Sequence, residues 1–226
     1  TIYGPPGIDR YVEGIMAVSP VYLQYPLSIR IVSPGKVFAH EEISVEAASV
    51  KHRVPALAYA VTETAKPGAF RADLAKAAGV PAGPLYGALK RGETIQLYDG
   101  RIIEGSQFVG PAQPGRKVVY SGDTEPCQAM VGLAAGADVL IHEATYAHVD
   151  ALLAKRSGHS TSLQAAQIAR DADVSKLILT HVSPRYERDQ ETSLDLLLAE
   201  AREVFAETEL AADFSQYEVK RVREKV

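Results

Sequence analysis

The sequence predicts a domain of mixed α-helix and β-strand, in the α/β class. With 226 residues and 46% apolar composition, the chain is long enough to bury one sizeable core. Short apolar runs typical of buried strands alternate with helical stretches in its second half. A single cysteine excludes a disulfide framework, and no stretch resembles a bilayer span or a secretory signal. We therefore expect a cytoplasmic protein that does not enter a membrane.

Strand patterns come first along the chain. Residues 43–47 alternate in polarity with the period of a half-buried strand, and residues 57–61 follow as the expected hairpin partner. His52 falls in the turn between these two strands. The chain opens at Thr1 and runs at once into the turn-forming sequence Tyr3-Gly4-Pro5-Pro6-Gly7, so we expect its start to lie within a domain.

The second half predicts strands and helices in alternation. Buried strands are expected at residues 117–120, 138–141 and 176–179. Helices are expected at residues 125–135, closed by Gly136, and at residues 162–172, with Ser160 or Thr161 as the N-cap. A last helix presents one apolar face, made by Leu194, Leu197, Leu198, Ala201, Val204 and Phe205.

Residues 66–117 differ in charge from the rest of the chain. The segment holds eight Lys or Arg against four acidic residues and carries +4, whereas the whole chain carries −4. Glycine and proline punctuate it, which is typical of a protruding or irregular element. We interpret it as a basic, flexible arm inserted in an acidic body and suited to phosphate contact. The alternative is a solvated loop whose lysines are there by chance.

Three residues of metal-ligand type lie at the ends of predicted strands. Asp123 follows the strand at 117–120, His181 follows the strand at 176–179, and His52 occupies the hairpin turn. Such residues project into loops at one rim of a sheet, where α/β folds place sites. A carboxylate with neutral imidazoles suits zinc or manganese, and a carboxylate can bridge two ions about 3.5–4 Å apart. Taken singly, a histidine after a strand is more often a surface or core residue than a metal ligand, and residues 122–124 are equally plausible as a simple turn.

The order of the motifs is more specific than any residue alone. In chain order they are Val50-Lys51-His52, Ser121-Gly122-Asp123-Thr124, His142-Glu143-Ala144-Thr145, His159-Ser160-Thr161 and Thr180-His181-Val182-Ser183-Pro184-Arg185-Tyr186. Over essentially the whole chain, this series resembles the motifs of the ribonuclease Z family in the metallo-β-lactamase superfamily. The resemblance implies a metallo-β-lactamase αβ/βα sandwich, N-terminally incomplete, with an inserted basic flexible arm. It also implies a metal-dependent endoribonuclease that removes the 3′ trailer of precursor tRNA after the discriminator base.

The resemblance implies a two-metal site of which this chain holds only a part. It implies that His52 binds a first metal, His181 a second, and that Asp123 bridges both; the ions are zinc, two per site in the intact family, with manganese or magnesium as alternatives. The family's first metal motif, His-x-His-x-Asp-His, occurs nowhere in the sequence. Because zinc sites need at least three protein ligands each, we expect weak metal binding and negligible catalysis from this chain alone.

Three further residues resemble the catalytic groups of the family. His159 is implied to assist proton transfer to the leaving oxygen, and Glu143 to orient it, since a histidine needs a partner to fix its tautomer. Arg185 is implied to face the scissile phosphate, which suits a planar fork of donors. The plain alternatives are a surface carboxylate for Glu143 and an ordinary ion-pair partner for Arg185.

The inserted segment resembles the RNA-binding arm of the family. Residues 79–86 resemble the glycine-proline motif of the arm that grips the tRNA elbow, and residues 66–68 resemble its lead-in. The implied RNA-binding residues are Lys66, Gly83, Pro84, Lys90 and Arg91. The resemblance implies precursor tRNA, and not DNA, as the nucleic-acid partner. It also implies a homodimer in which the arm of each copy binds tRNA for the active site of the other copy.

Two other functions stay open at this point. Another hydrolase of metallo-β-lactamase fold would share the metal motifs but would not need the arm. A non-catalytic RNA-binding module would explain the missing first motif, although three surviving ligands argue against it. Sensitivity to a chelator separates these, because a binding module should hold tRNA unchanged after metal removal.

Overall fold

The structure is a computed structural model that describes residues 1–19, 22–188 and 193–220. Its contacts divide the chain into two compact units. The first unit combines residues 1–62 with the chain from Arg116 onward, and the second is the intervening segment, residues 63–115.

Strands and helices follow one another along both units. In chain order the strands are β1 (Ile2–Gly4), β2 (Ile29–Ile31), β3 (Gly35–Ala39), β4 (Ile43–Val50), β5 (Ala56–Glu63), β6 (Thr94–Gln96), β7 (Ile102–Glu104), β8 (Lys117–Tyr120), β9 (Val139–Glu143), β10 (Leu177–Thr180) and β11 (Thr208–Leu210). The α-helices are α1 (Ile8–Val18), α2 (Ala72–Ala77), α3 (Pro84–Lys90), α4 (Gln128–Ala134), α5 (Ala151–Ser157), α6 (Ser162–Asp171), α7 (Arg185–Arg188) and α8 (Leu194–Val204). Within the described residues, none of the helices has both the length and the apolar character that crossing a membrane requires.

A seven-stranded mixed sheet organises the first unit, in the order β11-β10-β9-β8-β5-β4-β3. The strands β8 to β11 run parallel to one another, whereas β5 pairs antiparallel with β8 and β3 pairs antiparallel with β4. The expected hairpin partners, β4 and β5, are neighbours in the sheet. The three buried strands predicted in the second half are β8, β9 and β10, within one or two residues at either end. The α/β prediction is confirmed.

Helices cover one face of this sheet. Leu140 of β9 and Leu177 and Leu179 of β10 are fully buried in a cluster with residues of α4, α6 and α8. The inward positions of α6 and α8 are largely alanines, which let these helices lie close to the strands. The predicted last helix is α8, and two of its expected apolar residues, Leu197 and Ala201, are fully buried.

The opposite face of the sheet carries less of the chain. Tyr120 of β8 is 49% exposed there, while its neighbour Val119 is fully buried on the helical side. Near this face β1 and β2 form a separate parallel pair, and Tyr3 of β1 contacts the Phe38 ring and the Tyr59 hydroxyl. Of the four layers expected of the sandwich, the described residues supply one large sheet, its helices and this small pair.

The helix predicted at residues 125–135 begins later than expected. It is α4, which starts at Gln128, so Cys127 precedes the helix instead of lying within it. The Glu125 backbone N–H donates to the Lys51 carbonyl oxygen at 2.7 Å, and Pro126 keeps the residue before it extended. The end is as predicted, because Gly136 adopts the left-handed conformation just past the helix.

The helix predicted at residues 162–172 is α6, and the structure decides between its two candidate caps. The Thr161 hydroxyl accepts from the Gln164 backbone N–H, while the Gln164 side chain accepts from the Thr161 N–H, which forms a capping box. Ser160 has another task, since its hydroxyl donates to the Thr124 carbonyl oxygen at 2.7 Å.

Residues 63–115 form a compact unit, where the sequence led us to expect an irregular element. The helices α2 and α3 and the β6–β7 hairpin enclose six buried apolar residues: Ala75, Val80, Leu89, Ile95, Leu97 and Phe108. Lys66 and Gln113 pair through their backbones, with N···O distances of 2.9 and 2.8 Å, and so bring the two ends of the unit together. Frequent glycine and proline interrupt the periodic patterns of apolar residues that indicate helices and strands, so the sequence pattern did not predict this core.

The second unit, residues 63–115, carries less positive charge than residues 66–117. Within residues 63–115 six basic side chains stand against five acidic ones, so the net charge is +1. The two charges differ because Arg116 and Lys117, which are counted in residues 66–117, belong to the first unit. Glu63 belongs to the second unit and adds a negative charge to it. Moreover, three arginines pair with an acidic residue two positions away: Arg71 with Asp73, Arg91 with Glu93, and Arg101 with Asp99.

One histidine is buried in the core of the first unit. His142 of β9 is fully buried, and its Nδ1 donates to the Glu143 carbonyl oxygen at 2.7 Å. Its Nε2 has no hydrogen-bond partner among the described residues. Burial lowers the pKa of His142 below its ordinary value, so the imidazole is neutral in the folded chain near pH 7.

Acidification should therefore destabilise the fold through His142. The unfolded side chain binds a proton near its ordinary pKa of about 6.5, whereas the folded one binds it only at lower pH. Its contribution to stability is complete above about pH 6.5 and is lost as the pH falls, by at most about 1.4 kcal/mol per pH unit. We expect His142→Asn, which keeps a donor but does not titrate, to flatten the pH dependence of the unfolding free energy in urea titrations. Equal slopes for both proteins would contradict this account.

Candidate metal centre

The parallel strands β8, β9 and β10 bring polar residues to one edge of the sheet. Asp123 lies three residues after β8, Glu143 is the last residue of β9, and His181 directly follows β10. Thr180 pairs with Glu143 in the strand register, so His181 emerges next to Glu143. His52 reaches this edge from the β4–β5 turn, and His159 from the residues before α6.

Ligand-type atoms of five side chains meet at this edge. One such atom from each of His52, Asp123 and His159 lies within 4.8 Å of the others, and the same holds for Glu143, His159 and His181. The Nε2 of His181 lies 3.7 Å from Asp123 Oδ1. The His159 ring stands between the other two imidazoles, with its centroid 5.0 Å from that of His52 and 5.2 Å from that of His181. We call these five residues the edge cluster.

The carboxylate of Glu143 is the buried anchor of the edge cluster. Its side chain is 1% exposed. The Oε1 atom accepts from the Thr124 backbone N–H at 2.7 Å and from His159 Nδ1 at 2.8 Å. The Oε2 atom accepts from the Ser160 backbone N–H at 3.1 Å and from the Thr145 hydroxyl at 2.6 Å. Burying a carboxylate costs free energy unless its oxygens accept hydrogen bonds, so Glu143 needs these donors. In turn, Glu143 holds the donor groups in fixed positions. Glu143 is not a surface carboxylate.

All three imidazoles of the edge cluster use Nδ1 for a fixed hydrogen bond. His52 Nδ1 donates to the Gly158 carbonyl oxygen at 2.7 Å, and His159 Nδ1 donates to the buried carboxylate. The Thr145 hydroxyl gives its own proton to that carboxylate, so it accepts from His181 Nδ1 at 2.8 Å. Each neutral ring therefore keeps an unprotonated Nε2, the atom that can bind a metal or a proton.

The backbone at two positions shapes this arrangement. Gly158 has a φ of 78°, and a Cβ there would stand 3.0 Å from His52 Nδ1, so any side chain would press on the imidazole. His181 has a left-handed backbone with a φ of 56°, which is uncommon for a residue with a side chain. Backbone strain of this kind is held in place by the surrounding contacts and clusters at functional sites.

The loop that carries Asp123 is anchored on both sides. Before it, the Ser121 hydroxyl accepts from the Glu143 backbone N–H at 3.0 Å, and after it, the Thr124 hydroxyl accepts from the Lys51 N–H at 3.1 Å. Ser121 and Thr124 are fully buried, whereas the Asp123 side chain is 40% exposed. Residues 121–124 therefore form a fixed turn, and this turn holds the accessible carboxylate of Asp123.

The edge cluster fits a divalent ion, with one difference from the expected ligand set. His52, Asp123 and His181 all belong to it, but both groups of ligand-type atoms found among the described residues also include His159. Free imidazole nitrogens beside a carboxylate form a donor set that suits zinc or manganese. Among the residues that the structure describes, the edge cluster offers fewer donors than two zinc ions need, and the sequence holds no His-x-His-x-Asp-His run.

Arg185 lies beside the edge cluster and forms an ion pair. Its Nη1 donates to Asp150 Oδ2 at 3.2 Å, and its guanidinium lies over the Tyr146 ring at 5.6 Å from the centroid. The Tyr146 ring is in turn 6.3 Å from the His159 ring. Arg185 is therefore one aromatic ring away from His159.

Sequence reasoning missed three residues that hold the site in place. Thr145 links the buried carboxylate to His181, Gly158 accepts from His52, and Asp150 binds Arg185. Thr145 follows Glu143 by two residues and Gly158 immediately precedes His159, so both lie in or beside quoted motifs. Asp150 gave no local signal, because its partner is 35 residues away.

The expected RNA-binding residues all lie in the second unit or at its paired ends. Gly83 and Pro84 are exposed at the start of α3, and Lys90 is exposed at its end. Arg91 donates to the glutamate two residues on, at 2.5 and 3.1 Å, so its charge is locally balanced. Lys66 and Lys90 are exposed and make no ion pair with the described part of the chain.

Comparison with known proteins identifies the family. Residues 105–182 match the β-lactamase superfamily domain. The chain is 60% identical to Ribonuclease Z of Brevibacillus brevis over 223 residues, which cover 98% of this chain and 70% of that protein. The chain belongs to the ribonuclease Z family. It is also 48% identical to Ribonuclease Z of a Cyanothece species over 220 residues, covering 97% of this chain and 69% of that protein. The resemblance drawn from the motifs is confirmed, and ribonuclease Z relatives of this kind extend beyond the matched region by about three tenths of their length.

Solved structures agree on the fold. Human tRNase Z, short form, superposes with a TM-score of 0.60 at 22% identity, covering 97% of this chain and 67% of that one. The metallo-β-lactamase fold protein YhfI from Bacillus subtilis gives a TM-score of 0.54 at 20% identity, covering 93% and 61%. The predicted metallo-β-lactamase fold class is therefore confirmed.

The hydrogen-bond pattern predicts the tautomers of the three imidazoles. In the neutral form of each ring, we expect His52, His159 and His181 to carry their proton on Nδ1. Thr145→Val removes the acceptor for His181, so His181 alone should shift toward the Nε2-protonated form. Thr145→Ser keeps a hydroxyl and should leave the tautomer unchanged. Two-bond ¹H–¹⁵N correlation spectra of the metal-free chain distinguish the forms, and Nε2 protonation in the unmodified chain would contradict the assignment.

Proposed function

We propose that this chain is the larger part of a metal-dependent endoribonuclease that removes the 3′ trailer from precursor tRNA, after the discriminator base, in the cytoplasm. The edge cluster carries the proposal, because it sets three imidazoles with free Nε2 atoms and an accessible aspartate around one buried carboxylate. The identity of 60% to a ribonuclease Z gives that chemistry its substrate class. No observation in the structure favours a small-molecule substrate over RNA.

His52, Asp123 and His181 would hold the metals, zinc in our proposal, with manganese or magnesium as alternatives. When bound, a pair of divalent ions supplies an activated water and positive charge at the scissile phosphate. His52 and His181 each offer Nε2 because Nδ1 is already engaged. Asp123 lies 3.7 Å from His181 and has two carboxylate oxygens, so it suits the bridging position. Further ligands from outside this chain are needed to complete two sites.

Three side chains would act on the phosphodiester. His159, in its protonated form, delivers the proton on Nε2 to the leaving 3′ oxygen, so the tRNA is left with a 3′ hydroxyl. Glu143 accepts from His159 Nδ1 at 2.8 Å, which fixes the ring and stabilises its positive charge. Arg185 offers planar donors to the non-bridging phosphate oxygens and so binds the charge that develops there.

The second unit, residues 63–115, is proposed to bind the body of the tRNA. Exposed lysines at positions 66, 76 and 90, together with the exposed Gly83-Pro84 turn, suit contact with phosphates. A net charge of +1 indicates a few discrete phosphate contacts instead of a broad basic surface. By the family resemblance, we propose a homodimer in which this unit of one copy serves the edge cluster of the other.

The direct test is cleavage of a precursor tRNA that carries a 3′ trailer. We would compare this chain with a form extended to the length of its ribonuclease Z relatives, each with zinc or manganese. We expect the extended form to cut after the discriminator base and this chain alone to be almost inactive, because its ions lack ligands. A chelator should abolish cleavage but not tRNA binding. If neither form cuts with metal bound, a small-molecule hydrolase is favoured, and tRNA binding without any metal-dependent reaction would favour a non-catalytic module.

A deletion variant of the extended form provides the control for substrate class. Removing residues 67–111 leaves the paired backbone at Lys66 and Gln113 to close the gap. We expect KM for tRNA to rise and its salt dependence to weaken, since fewer counterions are released on binding. Hydrolysis of bis(p-nitrophenyl) phosphate should be nearly unchanged. Equal losses on both substrates would contradict the division of labour between the two units.

A further inference from the structure

Asp150 connects two loops beside the edge cluster. It ends a 3₁₀ turn in the loop after β9 and immediately precedes α5. One of its oxygens, Oδ2, accepts from the Tyr186 hydroxyl at 2.5 Å and from Arg185 Nη1 at 3.2 Å. Both donors are residues of α7, the short helix within the loop that follows β10, so a single carboxylate oxygen joins the two loops.

Tyr186 fixes this carboxylate independently of Arg185. Its side chain is almost completely buried, in a small apolar cluster with Ala147 and Leu197. The Tyr186 hydroxyl accepts from the Ala147 backbone N–H at 2.9 Å and donates to Asp150. Burial and the hydrogen bond to Asp150 raise the pKa of Tyr186 to about 12, so the phenol keeps its proton throughout the physiological range. The hydrogen bond from Tyr186 therefore fixes the position of the Asp150 carboxylate that binds Arg185.

Two contacts then define the position of the Arg185 guanidinium. Asp150 binds one of its nitrogens, and the Tyr146 ring lies beneath it at 5.6 Å. The centroid of the same Tyr146 ring is 6.3 Å from that of His159, so the guanidinium is separated from the proposed proton donor by one aromatic ring. A guanidinium has five N–H donors, so binding Asp150 through Nη1 does not exhaust its capacity for a phosphate.

The Asp150–Arg185 pair is too exposed to matter much for stability. The Asp150 and Arg185 side chains are 29% and 47% exposed, and solvent-exposed ion pairs contribute little to folding stability. A pair of this kind is better explained by the position it gives to the arginine. Small displacements of a substrate-binding group are costly in catalysis, up to about 100-fold in rate for about 1 Å.

We propose that Asp150 is a positioning residue for phosphodiester cleavage, which holds the Arg185 guanidinium over the Tyr146 ring, one aromatic ring away from His159. The inference rests on the proposed function, since it concerns the same site. Asp150 does not touch the substrate in this account. Its carboxylate in fact opposes the approach of a polyanion, so its removal should disturb the reaction without weakening binding.

The test uses the extended form with metal, on precursor tRNA and on bis(p-nitrophenyl) phosphate. We expect Asp150→Ala to lower kcat about 10-fold or more on both substrates, with KM unchanged or reduced. Asp150→Asn keeps an acceptor for Tyr186 and should have an intermediate effect. Adding Asp150→Ala to Arg185→Ala should cost little more than Arg185→Ala alone, because both changes remove the same interaction. Asp171→Ala, which breaks the exposed ion pair between Asp171 and Arg170 outside the edge cluster, is the matched control and should keep kcat.

Several results would overturn the proposal. These are multiplying losses in the double variant, a rise in KM that accounts for the loss, or a lower metal content with kcat per bound metal unchanged. If Asp150→Ala does not fold, the comparison of Asp150→Asn with Asp171→Asn decides the question, and equal kcat values would contradict the proposal. The small phosphodiester carries the test even if precursor tRNA is not cleaved, so failure of this inference and failure of the proposed function give different results.

Discussion

A buried carboxylate at the end of a parallel strand must find hydrogen-bond donors, and Glu143 finds them in three separate parts of the chain. They come from the loop after β8, from the residues just after β9, and from the residues that lead into α6. Because leaving such an anion unsatisfied would cost several kcal/mol by order of magnitude, these segments cannot move apart while the fold is intact. The site is thus built around a residue that does not itself need to touch a substrate.

The consequences reach the reactive atoms through one further layer of contacts. Glu143 orients His159 directly and orients His181 through Thr145, while the carbonyl of Gly158 does the same for His52. In each ring the proton is kept on Nδ1 and Nε2 is left free, which is the condition for binding a metal or transferring a proton. Asp150 plays a similar part for Arg185. Orientation of functional groups by buried neighbours is therefore the common design of the site.

Much of this was predictable, and the reason lies in local sequence. Apolar runs predict β8, β9 and β10. Polar residues that come shortly after such runs, as Asp123 and His181 do, are expected at one edge of the sheet. The ordered motifs then indicated the ribonuclease Z family. Thr145, Gly158 and Asp150 were missed because their roles depend on partners that only the fold brings near. The compact core of residues 63–115 was missed for a different reason, since glycine and proline break the periods by which helices and strands are recognised.

The proposed chemistry requires the metals to bind His52, Asp123 and His181. The most direct measurement is a crystal structure of the extended form grown with zinc, with anomalous diffraction at the zinc edge to locate the ions. We predict one ion on His52 Nε2 and one on His181 Nε2, at about 2.0–2.1 Å, with Asp123 between them and His159 and Glu143 outside the coordination sphere. Zinc bound by His159 or Glu143, or found away from the edge cluster, would contradict the account.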